Sequence, residues 1–112
     1  MQEMMPTMQE MMRSKSSART PAAKSYIQVM DRMNKAMAIE FSGDAGADFA
    51  RMMIPHHQGA LDMAQIASEE AEDDELRRIA KKTMDDQRRD IEELRKWLEK
   101  HKSAARGSSA AD

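Results

Sequence analysis

A chain of 112 residues has room for one domain and a modest hydrophobic core. Charged residues make up 34% of it yet cancel to a formal charge of −2, and they interleave rather than form a basic stripe; with aromatics at only 4%, neither an electrostatic footprint nor a base-stacking platform for nucleic acid is present. No apolar run approaches the roughly 20 residues needed to cross a membrane, and the absence of cysteine excludes disulfides, thiolate zinc sites and thiol nucleophiles.

The chain opens on MQEMMPT followed by MQEMMRS, a near-duplicate seven-residue repeat. Its methionines, at 1, 4, 5, 8, 11 and 12, fall on one face of a helix, although Pro6 interrupts that face. SKSSARTPA, residues 14–22, reads as a linker rich in small polar residues. No apolar signal stretch precedes it, which fits either a processed exported chain or a cytosolic one.

From Pro21 the pattern turns helical, with the proline at a position where its missing N–H costs little. Tyr26, Met30, Met33 and Met37 follow at spacings of four, three and four and form one stripe. SGDAGA, residues 42–47, is a loop, and either Asp44 or Asp48 caps a second helix running from about Ala47 to Glu70. After the acidic SEEAEDDE stretch, Asp73 or Asp74 caps a third helix reaching about Lys102, roughly 43 Å long. Its apolar stripe is Leu76, Ile79, Ala80, Thr83, Met84, Gln87, Ile91, Leu94 and Leu98, and the charges of 69–102 make a solvated face.

Strand signals are missing. The predicted fold is all-α: an antiparallel up-down helical bundle of three main helices, completed to four by the N-terminal segment or by a second subunit. Residues 1–21 form a Met-rich segment and linker, 22–102 the bundle domain, and 103–112 a tail that reads as disordered.

The chemistry concentrates in MMIPHHQGALDMA, residues 52–64. On a helical wheel, Phe49, Met53, His56, Ala60, Met63, Ala64 and Ala67 share the face expected to meet the core, with His57 about 100° around at its edge. Met52 and His56 are four apart, as are Met53 and His57, so each histidine has a methionine within reach. Met63 lies about 10.5 Å along the axis from His56 and serves another ion or the core. Met30, Met33 and Met37 could face this stripe from the first helix. Pro55, inside the pattern, frees the carbonyl of Arg51; it either re-aims the donors around it or simply bends a long helix.

Thioether with imidazole favours copper, above all Cu(I), whereas zinc and iron prefer thiolate or carboxylate. A thioether needs no deprotonation and cannot be lost to a disulfide, so thirteen methionines without cysteine suit acidic or oxidising surroundings. A di-iron site of the Glu-x-x-His kind is ruled out, because Met53, Ile54 and Leu98 stand three residues before the three histidines.

A plainer reading stands beside this one. Methionine fills irregular core gaps, and Met30, Met33 and Met37 taken alone fit that role. Histidine among apolar residues needs its nitrogens satisfied; Asp62 and Gln87 are the candidates to orient the histidines behind a metal, or to satisfy them in a core. His101 reads as solvated or as a cation at the helix C-terminus.

DFARMMIPHHQGALDMA (48–64) and QRRDIEELRKWL (87–98) resemble the two marked segments of the domain of unknown function 305 family, and the likeness extends over about residues 24–101. That resemblance implies a ferritin-like bundle, usually exported to the periplasm or secreted, with some members linked to copper binding and copper resistance. By position it points to Met52, Met53, His56, His57, Asp62, Met63 and Gln87.

The resulting expectation is a copper-binding protein without catalytic turnover. It would hold Cu(I), and also Cu(II), on His56, His57, Met52 and Met53, with Met63, Met30, Met33 and Met37 adding donors. Its partners would be copper ions and, as a homo-oligomer, further copies of itself. The rival is a metal-free module whose methionine-rich faces mediate oligomerisation or grip a partner helix.

Overall fold

A computed structural model describes residues 20–102; the expectations for the N-terminal repeat and for the tail lie outside this span. Three helices follow in order: α1 (Pro21–Met37), α2 (Ala45–Glu70) and α3 (Asp74–Lys100). No strand occurs among the described residues.

Each helix starts where local chemistry satisfies its free amides. The Thr20 hydroxyl accepts from the Ala23 N–H at 3.1 Å, with Pro21 opening the first turn of α1. Asp44, rather than Asp48, caps α2, accepting from the N–H groups of Gly46 and Ala47 at 3.0 and 3.1 Å. Asp73, rather than Asp74, caps α3 by accepting from Leu76 at 2.8 Å. Helix α2 runs without a break through Pro55.

The connection from α1 to α2 is held by Asp48. Its carboxylate is buried in the first turn of α2 and accepts from the Ser42 N–H at 3.0 Å, the Ser42 hydroxyl at 2.9 Å and the Gly43 N–H at 3.3 Å. Gly43 sits at φ +95°, a left-handed turn position suited to glycine. The amides and hydroxyl, with Arg51 beside them, hold the Asp48 carboxyl below its ordinary value despite burial.

Helix α2 is the shared partner of the other two, and α1 and α3 have no substantial seam of their own. The start of α2 lies against the end of α3, where Gly46 meets Trp97, and His57 further along α2 meets the earlier Gln87. On the other side, Met33 of α1 packs directly on Gly59: a Cβ at residue 59 would lie 3.0 Å from Met33 Cγ and nearer still to its sulfur.

The buried positions of α2 are Ala47, Asp48, Ala50, Gly59 and Ala64; of these Ala64 lies on the expected core stripe and the others do not. Phe49 and His56, both placed on that stripe by the wheel, are exposed, and Met53 and Met63 are half-buried. Close helix approach favours the smallest residues, so neighbours settle on Gly59 and on the Gly46–Ala50 region, leaving bulky methionine and histidine at the margins.

In α1 the buried residue is Val29, outside the predicted stripe, while Tyr26, Met30, Met33 and Met37 are half-buried. In α3, Ala80 and Ile91 are buried as the stripe predicts, but Leu76 and Ile79 are exposed. The solvated face of α3 is laced by ion pairs three or four residues apart, such as Lys82 with Asp86 at 3.1 Å. Each such pair contributes only about 0.3–0.5 kcal/mol.

Candidate metal centre

The sequence MMIPHH folds as two turns of α2 lying between the α1 and α3 seams. Successive side chains on a helix diverge by about 100°, and the two histidines face different surroundings; their rings stand edge-on, 89° apart in plane and 5.9 Å between centroids. His56 points to solvent. His57 turns toward α3 and is half-buried.

His57 has a partner. Its Nδ1 donates to Oε1 of Gln87, thirty residues away on α3. An amide oxygen only accepts, so in a neutral imidazole this bond keeps the proton on Nδ1 and leaves Nε2 with its lone pair free. Gln87, singled out in the sequence as an orienting residue, therefore does contact a histidine.

Asp62 does not. Its carboxylate accepts from Gln58 Nε2 at 3.0 Å and faces Arg32 of α1 at 3.8 Å, so it links α2 to α1 and leaves the histidines alone. The reason is angular: residue 62 lies on the Gly59 side of α2, toward α1, while His57 faces α3.

Met52 and Met53 are half-buried one turn before His56 and His57. Met33 is brought to α2 at Gly59, three residues past His56. Met30 and Met37 lie about one turn to either side of Met33 on α1, both half-buried, and Met63 occupies a similar margin of α2. Among the described residues, no three His, Asp or Glu side chains are placed to hold a metal ion together. The donor set around MMIPHH is thus imidazole and thioether, a soft set.

His101 is exposed, yet its ring stacks on Trp97 at 4.1 Å and its Nδ1 bonds the Trp97 carbonyl oxygen at 2.8 Å. Trp97 is the residue whose structural part the sequence reading missed. It closes over Gly46, whose missing Cβ would meet the indole at 3.2 Å, and the one signal for that was a glycine in the first turn of a helix.

No helix among the described residues is long and apolar enough to cross a membrane. Comparison with curated proteins and with solved structures found no match. The family described as "Domain of unknown function (DUF305)" matches residues 46–112, more than half of the chain. This span takes in both marked segments, with His57 and Gln87, and leaves out α1, which the likeness read from sequence had included. The chain belongs to the DUF305 family.

Proposed function

We propose that this protein binds copper, chiefly as Cu(I) and also as Cu(II), on the methionine–histidine margin of α2, and sequesters or hands over the ion without catalytic turnover. The observation that carries the reading is the His57–Gln87 hydrogen bond, which spans two helices to present one imidazole nitrogen. Orienting partners of this kind are what metal-bound histidines use. His57 with Met53, and exposed His56 with Met52, form two adjacent soft pairs at helical spacing. Met30, Met33, Met37 and Met63 lie along neighbouring margins as further thioether donors. In this reading the three helices form an up-down, ferritin-like bundle in an exported protein of copper homeostasis or resistance.

A second reading has its own support. Phe41, Phe49, Leu76 and Ile79 are 69%, 55%, 47% and 45% exposed, which suits a module that covers apolar surface with a partner or a second copy.

Anaerobic titration of the metal-free full chain with Cu(I) against a competing chelator tests the first reading. The same titration is run on His56→Ala/His57→Ala and on a chain lacking residues 1–14. Loss of competitive binding in the double-histidine variant supports the MMIPHH site. Loss only on removal of 1–14 moves binding to the repeat. No competitive binding by any of the three overturns the copper reading and favours the module.

A further inference from the structure

A separate feature lies where the start of α2 meets the end of α3. An open cleft of ≈ 410 Å³ is walled by Gly46, Phe49 and His57 on one side and Asp90, Glu93 and Trp97 on the other. Its volume falls within the range of small-ligand sites.

Two observations give the cleft a chemical preference. Asp90 and Glu93 are three apart on α3, so two carboxylates share one face and repel each other. Most other acids of that helix have cations: Asp74 has Arg77, Asp85 has Arg88, Asp86 has Lys82 and Arg89, Glu92 has Lys96 and Glu99 has Lys102, while Glu75, at the far end of the helix, has none among the described residues. Among the described residues, neither Asp90 nor Glu93 has an ion pair or a side-chain hydrogen bond, and both line the cleft.

The aromatic wall is the second observation. Trp97 is fixed in place by its stack on His101 and by the glycine beneath it. Phe49, more than half exposed, lines the same cleft from α2. Aromatic faces beside carboxylates attract a cation that carries an apolar body.

A bare metal ion fits this wall poorly, because His57, Asp90 and Glu93 are not placed to hold one ion together. We propose that the cleft binds a small organic ammonium ligand, an amine or quaternary ammonium bearing an apolar group. Asp90 and Glu93 meet its charge, and Phe49 and Trp97 contact its body. His57 borders both this cleft and the proposed copper margin, so the two sites are separated by testing the metal-free chain.

Trp97 is the chain's one tryptophan and reports occupancy by its fluorescence. The metal-free full chain is titrated with benzyltrimethylammonium and, separately, with uncharged benzyl alcohol, at constant ionic strength. The expected result is saturable binding of the cation alone, weakened about tenfold or more in Asp90→Asn/Glu93→Gln and in Phe49→Ala. Asp85→Asn, whose carboxylate lies outside the cleft, keeps the wild-type affinity. Circular dichroism checks that each variant retains its helicity. If one does not, added salt applied to the wild type decides instead, since a charge-led site weakens as screening rises. Equal binding of benzyl alcohol, unchanged affinity in the folded variants, salt-independent binding, or no saturable binding of the cation overturns the proposal.

Discussion

His57 on α2 and Gln87 on α3 are joined through Nδ1 and Oε1 across thirty residues of sequence. The bond aligns the imidazole with the helix seam and sets which nitrogen is left to bind. Gln87→Ala removes the acceptor and leaves the ring free to turn. Under the copper reading, Cu(I) affinity in chelator competition then falls about 10–100-fold, the usual effect of losing an orienting partner.

The two histidines separate in stability. His56 is exposed, so His56→Ala shifts unfolding by less than about 0.5 kcal/mol. His57→Ala breaks the bond to Gln87 in a half-buried seam and costs about 1 kcal/mol. Urea unfolding of the metal-free variants measures both. Equal losses would return His56 to the core-facing position expected from the wheel.

Gly59→Ala places a methyl group against Met33, with Cγ at 3.0 Å and Cβ at 3.2 Å. The severest contact is with the Met33 sulfur, and because Cγ and Cβ are also tight, swinging the tip away relieves the clash only in part. The variant should lose about 1–3 kcal/mol by overpacking. In Gly59→Ala/Met33→Ala the combined loss should be smaller than the sum of the single losses, as expected for residues in contact. Thermal unfolding of the four proteins tests this.

Acid should loosen the α1–α2 connection first. The Ser42 N–H, followed by the Ser42 hydroxyl, the Gly43 N–H and Arg51, lowers the Asp48 carboxyl below its ordinary 3.8. A carboxyl lowered in the folded state adds stability that is complete well above pH 3.8 and drains away as pH falls toward the folded value. Asp48→Asn should therefore be less stable at neutral pH and show a flatter acid limb in a pH series of urea unfolding curves. Asp86, lowered mainly by the Lys82 hydrogen bond, keeps some slope in the variant.

Helix boundaries were legible in the sequence because they are written locally. Pro21 and the aspartates at 44 and 73 act within a turn or two of themselves, and the Asp44 cap starts α2 at Ala45, inside the loop expected over 42–47. Which side of α2 faces inward was not legible. A hydrophobic wheel weights Phe49, Met53 and His56 by polarity, whereas the packing is decided by how near two axes can come, and Gly59 and Ala50 allow the nearest approach. Gln87 was found because the motif pattern names it. Asp62 instead faces Gln58 and Arg32, because spacing along one helix carries no information about which neighbour stands on which side. Pro55 shows the same limit: its place in the chain is plain, but its position in the α1–α2 groove beside Met33 and Gly59 depends on the partner helix.

Because α1 and α3 both rest on α2 and scarcely on each other, α2 alone couples the two flanks. The matched span begins at residue 46, one residue into α2, and holds both members of the His57–Gln87 bond, while the three methionines of α1 lie before it. A change confined to α1 reaches that bond only through the helix that carries the histidine.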